Sequence, residues 1–201
     1  MNGLWAGVDV GGEKKGFHVA VVDGTRLVRP VDNPRTVADA VALVREVAPE
    51  LVAVDSPREP AADGEKSRAS EHELRRAVCG IRYTPDRATV FGERENGDDF
   101  YGWIKHGLAL YDALEDAGVE AVECFPTASW TRWGGKRDSR TRESWSASVL
   151  RSVAVPGVPV RMNQDERDAI GAALTARAHA RREAESFGGI VVPFAATGPL
   201  P

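Results

Sequence analysis

The sequence predicts a three-layer α/β fold, in which a mixed central sheet starts with an antiparallel hairpin and carries helices on both faces. Short apolar segments of strand length alternate along the chain with longer segments in which apolar residues recur at helical spacing. The first two apolar segments are separated only by a short turn that contains glycine, which favours an antiparallel hairpin. The order of the later strands and helices is compatible with a mixed sheet.

Length and composition predict a single domain over residues 1–201. The chain is 42% hydrophobic and has no internal repeat, low-complexity linker or shift in composition at which it would divide. Charged residues of both signs make up 28% of it, which argues against intrinsic disorder. It has neither a recognisable secretion signal nor a run of about 18 apolar residues, so we expect a cytoplasmic protein without a membrane span.

Five elements are predicted before residue 58. In order, they are strands at residues 4–10, 16–22 and 25–29, a helix at 36–48 and a strand at 50–55. The first strand is apolar on both alternations until Asp9, as in a strand buried on both faces, and Gly11 and Gly12 form the turn after it. In the helix, apolar residues recur every three or four positions. The strand that follows the helix also ends in an aspartate, Asp55, before Pro57 stops it.

The rest of the chain divides into an elaborated insertion and a second set of elements. Residues 58–97 are polar and only weakly periodic, so we expect an insertion with one helix near residues 70–79. The later elements are helices at 98–118, 127–133 and 142–153, strands at 119–125 and 190–192, and a long final helix that begins at Asn163 or Gln164 and runs toward Ser186. Gly118 has the residue type favoured just after a helix, and Pro126 ends a strand.

Acidic residues stand near the ends of three predicted strands. Asp9 and Asp55 each close an apolar strand, and Glu123 lies near the end of a third. If the strands of Asp9 and Asp55 are parallel neighbours, the two side chains emerge side by side at the edge where open α/β sheets bind ligands. A simpler interpretation stays open for two of these acids. Asp55 also suits the start of a turn, and Glu123 also suits the solvent side of an edge strand.

The final helix supplies further acids. Asp165 and Asp168 are three residues apart near its start and therefore share one face, which Ala169 and Ala172 continue. Small residues on that face would let the helix lie close against the sheet and bring a carboxylate toward Asp9. Acidic residues at the start of a helix also complement the helix dipole, and this alternative accounts most simply for Asp165.

The predicted acidic cluster has a chemical use. Gathered carboxylates repel one another unless a divalent cation neutralises them, and Mg²⁺ or Mn²⁺ prefers oxygen ligands of this kind. The predicted catalytic residues and metal ligands are Asp9, Asp55, Glu123 and Asp168. Asp165 is an alternative to Glu123 for completing the shell or orienting water. Two ions about 4 Å apart can activate water and stabilise a leaving oxygen, so we expect hydrolysis of phosphodiester bonds in a nucleic acid or nucleotide.

Cationic side chains near the acids are candidates for contacting the phosphate of a substrate. Lys14, Lys15 and Arg58 lie close to the acids in sequence, and Arg137 belongs to a basic stretch at residues 132–142. We predict Lys14, Arg58 and Arg137 as substrate-binding residues. The net charge of −4 argues against a protein that coats nucleic acid by bulk electrostatics, so binding would depend on such local patches.

Five groups of residues resemble a known family in their order and spacing. They are GVD at 7–9, VAVDSP at 52–57, RR at 75–76 with YTP at 83–85, ECFP at 123–126 and DERDAIGAALTA at 165–176. The resemblance spans most of the chain and is to domain of unknown function 429, whose members are regarded as predicted nucleases with a ribonuclease H-like fold. It implies that fold, metal-dependent nuclease activity, and acidic site positions at Asp9, Asp55, Glu123 and Asp168.

Two other functions stay open at the level of sequence. The turn at Gly11 and Gly12 after Asp9 is similar to the phosphate-binding turn of sugar kinases and actin-like ATPases, which indicates an ATP-binding phosphotransferase as one alternative. Those proteins use two related lobes, whereas this chain has the elements of one. The other alternative is a non-catalytic nucleic-acid-binding module whose stacking surfaces would be Trp103, Trp130, Trp133 and Trp145. The four histidines show no metal-ligand spacing, so no role is assigned to them.

Overall fold

A mixed sheet forms the centre of the computed structural model, which describes residues 3–92 and 100–195. Its six strands are β1 (Trp5–Val10), β2 (Phe17–Val22), β3 (Leu51–Asp55), β4 (Ala121–Cys124), β5 (Ala184–Phe187) and β6 (Ile190–Pro193). They lie in the order β2-β1-β3-β4-β6-β5. The four inner strands are parallel, and β2 and β5 pair antiparallel at the two edges. The predicted mixed sheet with an antiparallel first hairpin is therefore confirmed.

Helices cover both faces of this sheet. Within the described residues they are α1 (Val37–Val47), α2 (Ala69–Ala77), α3 (Arg87–Phe91), α4 (Gly102–Asp116), α5 (Pro126–Gly134), α6 (Arg142–Val153) and α7 (Gln164–Ala180). Apolar residues of α1 and α4 pack on one face, and those of α5, α6 and α7 pack on the other. The predicted three-layer arrangement is confirmed. None of the described helices is long and apolar enough to cross a membrane.

The longest helix, α7, lies unusually close to β1. Its start is set by Asn163, whose side chain accepts a hydrogen bond from the Glu166 amide while the Glu166 carboxylate accepts one from the Asn163 amide. A methyl group on Gly7 would lie 2.0 Å from the Ala173 nitrogen and 2.3 Å from the Ala169 carbonyl oxygen. Only a glycine therefore allows this approach, and the small residues of α7 complete it as the sequence predicts.

The third strand that the sequence predicts at residues 25–29 is absent from the described sheet. Only isolated bridges form there, between Val22 and Leu27 and between Val19 and Asp32. The reason is local, because the Asp23 carboxylate accepts hydrogen bonds from the amides of residues 25 and 26 at 2.7 and 2.8 Å. Amides held in an Asp-centred turn are not available to a strand ladder.

Other boundaries also differ from those expected. The final helix ends at Ala180, and the segment toward Ser186 that the sequence predicts as its end belongs instead to β5 at residues 184–187. Gly188 and Gly189, with φ of 55° and 104°, turn the chain from β5 into β6. The short α3 within the insertion was not predicted, and α4 begins at Gly102, whereas the predicted start at residue 98 lies outside the described residues.

Candidate metal centre

Asp9 and Asp55 meet at the carboxyl ends of two neighbouring strands. Strands β1 and β3 are parallel, and these two residues are register partners, so the predicted adjacency of the strands is confirmed. The charge of Asp55 raises the pKa of Asp9, so the two carboxyl groups are close enough to influence each other's ionisation.

Asp168 lies on α7, close enough for its charge to raise the pKa of both Asp9 and Asp55. Its carboxylate is 2% exposed and accepts hydrogen bonds from Trp130 Nε1 at 2.9 Å and from Gln164 Nε2 at 3.0 Å. The Arg142 guanidinium donates to its other oxygen at 2.8 Å. Two donors of α5 and α7 and a cation of α6 thus fix the direction in which this carboxylate points.

Asp165 and His18 complete the set on the other side of Asp9. His18 is the antiparallel register partner of Asp9, and its Nδ1 lies 4.0 Å from Asp9 Oδ2. One ligand atom from each of Asp9, His18 and Asp165 lies within 4.8 Å of the others, which is close enough for a shared metal ion. Lys15 Nζ donates to Asp165 Oδ2 at 2.8 Å and partly neutralises this group.

Sequence reasoning missed His18 because it searched for metal-ligand spacing along the chain. The signal that would have found it is the hairpin register. When residues are counted outward from the turn that contains Gly11 and Gly16, residue 18 falls opposite residue 9. Directly opposed residues of antiparallel strands point to the same face, so His18 had to lie beside Asp9.

Burial is the largest cause of raised pKa values at three acids of the centre. Burial, together with the charge of Asp168, raises the pKa of Asp55 to about 8. Burial and then the charge of Asp55 raise the pKa of Asp9 well above its ordinary value, and burial also raises the pKa of Asp168. Burial lowers the pKa of His18, so its ring is neutral at pH 7. Clustered carboxyl oxygens whose ionisation is opposed by burial and by one another suit a hard divalent cation.

Glu123 lies apart from the other predicted acids. It is the register partner of Val54, one residue before Asp55, and successive side chains of a strand point to opposite faces. Its carboxylate accepts two hydrogen bonds from the Arg68 guanidinium and one from the Arg58 amide at 2.9 Å. Glu123 is therefore held in a buried ion pair on the other face of the sheet, and a role as metal ligand would require it to leave Arg68.

The three predicted substrate-binding residues occupy different surroundings. Lys14 is exposed in the β1–β2 turn, and Arg137 is exposed in the segment between α5 and α6. Arg58 has structural contacts instead, since its guanidinium donates to the Ala121 carbonyl and lies 5.3 Å from the centroid of the Tyr111 ring. Two of the three cations are thus available to a ligand without breaking such contacts.

Several backbone amides and tryptophans on which the two alternative functions depend make other contacts within the protein. In the turn after Asp9, the amides of Gly11, Lys15 and Gly16 donate hydrogen bonds within the turn itself, so these three are not free to bind a nucleotide phosphate. Trp130 and Trp145 are 0% and 1% exposed, and the prediction that they offer stacking surfaces was wrong. Both indole rings belong to the core beneath α7.

The raised pKa of Asp55 predicts how the stability of the metal-free protein depends on pH. An acid whose pKa is higher in the folded state stabilises the fold fully below its unfolded pKa of about 4 and loses that contribution as pH rises through its folded pKa. We therefore expect the urea midpoint in EDTA to fall between pH 6.5 and 9, a window in which His18 stays neutral. A midpoint that rises across this window would contradict the buried acidic centre.

Comparison with known proteins identifies the fold. No family model matches the chain, so its resemblance to domain of unknown function 429 stays a prediction. No curated protein matches its sequence. The structure of Thermus thermophilus RuvC is similar, with a TM-score of 0.50 and 18% identity over 89% of this chain and 96% of that one. A structure of T. thermophilus RuvC in complex with a Holliday junction substrate gives a TM-score of 0.48 and 16% identity over 89% and 95% of the two chains. The chain therefore has the ribonuclease H-like fold that RuvC also has.

Proposed function

We propose that this protein is a metal-dependent nuclease that hydrolyses phosphodiester bonds at the centre formed by Asp9, Asp55 and Asp168. One observation carries the proposal. Asp9 and Asp55 are register partners at the ends of two parallel strands, and the charge of Asp168 on α7 raises the pKa of both. Such a cluster lowers the stability of the metal-free protein, so it needs a ligand that favours ionised oxygens.

The roles of the residues follow from their positions. Asp9 lies between the strand of Asp55 on one side and the strand of His18 on the other, and its carboxylate belongs to a cluster with His18 and Asp165. Asp55 would have to be ionised to hold a metal ion, although burial and the charge of Asp168 raise its pKa to about 8. Asp168 is held in a fixed direction by its hydrogen-bond donors. Bound Mg²⁺ or Mn²⁺ would supply a Lewis acid and a water of lowered pKa for attack on phosphorus.

We expect cationic side chains beside the acids to contact the phosphate of the substrate. Lys15 and Arg142 contact Asp165 and Asp168 in the metal-free protein. If a metal ion took over the charge of these acids, both side chains would be placed to donate to the oxygens of a phosphate, and Lys14 is exposed beside Lys15. The proposed ligand set leaves out Glu123, which positions Arg68 and the backbone after β3.

Nucleic acid is the proposed substrate class, since the resemblance to domain of unknown function 429 implies a nuclease. The fold shared with RuvC supports the same class by analogy, because the fold alone does not determine the chemistry. The proposal also includes a single domain and a cytoplasmic location, as the composition predicts.

The test is cleavage of end-labelled single-stranded, duplex and RNA–DNA hybrid substrates with Mn²⁺, Mg²⁺, Ca²⁺ or EDTA. We expect products with Mn²⁺ or Mg²⁺ and none with EDTA, because the carboxylates alone provide no Lewis acid. Asp9→Asn, purified in the same way, reveals any contaminating nuclease. Asp112→Asn, an exposed acid of α4, is the matched control that retains activity. Equal cleavage by wild type and Asp9→Asn, or no Mn²⁺-induced rise in Tm, would contradict the proposal.

A further inference from the structure

A second feature of the molecule is a cationic groove of about 660 Å³ between the end of α2 and the segment that joins α5 to α6. We call it the basic groove. Its cationic lining residues are Arg75, Arg76, Lys136, Arg137 and Arg142. Among the described residues that line it, none is acidic. A concentration of positive charge on a protein of net charge −4 marks a local site for an anion.

Most of this charge is available to a ligand. Arg76, Lys136 and Arg137 are exposed, and within residues 3–92 and 100–195 their side chains have no ion-pair partner. The segment that carries two of them is held in place, because the Arg140 guanidinium donates to the carbonyl oxygens of Lys136 and Arg137. The groove thus presents its cations from a fixed backbone, which reduces the entropy cost of binding.

The basic groove adjoins the candidate metal centre. Arg142 lines the groove, and its guanidinium also donates to Asp168 Oδ2 at 2.8 Å. One side chain therefore spans the distance between the groove and a carboxylate of the centre. A polyanion that lies along the groove would bring a phosphate to the same edge of the sheet.

The lining of the groove also indicates which form of polyanion it suits. Its aromatic residues are Trp145, which is 1% exposed and donates its Nε1 hydrogen to the Gly135 carbonyl, and Phe125, which packs against the apolar cluster around Leu74. The Trp145 ring is therefore closed to a base, and Phe125 is only partly exposed. Proteins that bind single strands rely on aromatic rings that stack with unpaired bases, whereas phosphate contacts alone suffice for a duplex whose bases already stack.

We propose that the basic groove binds the sugar-phosphate backbone of a double-stranded nucleic acid, independently of base sequence, and directs one strand to the acidic centre. The binding itself depends only on the groove, whereas the delivery of a strand for cleavage rests on the proposed nuclease function. Contacts of this kind position a duplex without reading its bases.

The test is the fluorescence anisotropy of a labelled DNA duplex, titrated in EDTA at several KCl concentrations. We expect Arg76→Gln combined with Arg137→Gln to weaken duplex binding about tenfold and to reduce the slope of log K against log salt by about 2. The matched control is Arg45→Gln combined with Arg151→Gln, which removes the same charge from exposed positions outside the groove and leaves binding unchanged.

Three outcomes would overturn the proposal that the basic groove binds a duplex: no duplex binding at low salt, equal salt slopes for the groove variant and wild type, or tighter binding of the single strand than of the duplex. EDTA makes this result independent of catalysis. Duplex binding that depends on the groove, without cleavage in Mn²⁺, would contradict the proposed nuclease activity but not the proposed duplex binding by the basic groove. If the groove variant kept both the cleavage and the duplex binding of the wild type, the proposed role of the basic groove would be contradicted, whereas the proposed nuclease activity would not.

Discussion

Asp55→Asn is expected to be more stable than the wild-type protein in EDTA at pH 8, and inactive. At that pH the wild type must ionise a partly buried carboxyl group whose pKa is raised to about 8 by burial and by the charge of Asp168. An asparagine has no charge to bury. We expect a gain of about 2–4 kcal/mol in the free energy of unfolding, roughly 5–15 °C in Tm for a chain of this size.

The same substitution removes a predicted metal ligand. We expect cleavage to fall roughly a thousandfold, which corresponds to about 4 kcal/mol of transition-state stabilisation. The rise in Tm that Mn²⁺ produces in the wild type should shrink in parallel. Below pH 4 the stability difference in EDTA should nearly vanish, because Asp55 is then protonated in both the folded and the unfolded protein.

A substitution that raises stability and lowers activity indicates that the acid it replaces serves function rather than the stability of the fold. An aspartate that stabilises the fold, such as Asp86, whose carboxylate accepts from the Thr89 and Gly64 amides, should lose stability on replacement by asparagine. A lower Tm for Asp55→Asn than for wild type at pH 8, or retained cleavage, would contradict the assignment. Asp112→Asn controls for the change in net charge.

Much of the fold follows from patterns that are local in sequence. The strands that carry Asp9 and Asp55 are recognisable because both faces of each are apolar, which requires a position inside the sheet. The stripe of alanines on α7 indicates close packing in the same way. The strand β5 was missed because residues 184–187 continue a helical segment without a break, although Gly188 and Gly189 after it are typical of a hairpin turn.

The centre was less predictable, because it depends on register between distant segments. Glu123 is one residue from the end of β4, whereas Asp55 is at the end of β3, and the pairing of Glu123 with Val54 places it on the other face. Sequence shows which acids end strands but not which face each one occupies. The donors that fix Asp168, from Trp130 and Arg142, lie on α5 and α6, and no spacing along the chain links them to it.

Gly7→Ala is expected to destabilise the protein more than any exposed substitution. The added methyl group would lie 2.0 Å from the Ala173 nitrogen and 2.3 Å from the Ala169 carbonyl, both backbone atoms of α7. Because backbone cannot rotate away as a flexible side chain does, α7 must move off the sheet. We expect a loss of about 3 kcal/mol or more in the free energy of unfolding, roughly 6–12 °C in Tm.

The displacement should also weaken the centre, because α7 carries Asp168 and Asp165 toward the strand that carries Asp9. The Mn²⁺-induced rise in Tm should therefore be smaller in Gly7→Ala than in the wild type, at equal metal concentration. Gly12→Ala is the matched control, since a methyl group there has no atom within 4 Å. If Gly7→Ala unfolded at the wild-type temperature and kept its full response to Mn²⁺, close contact between β1 and α7 would not be what assembles the acids.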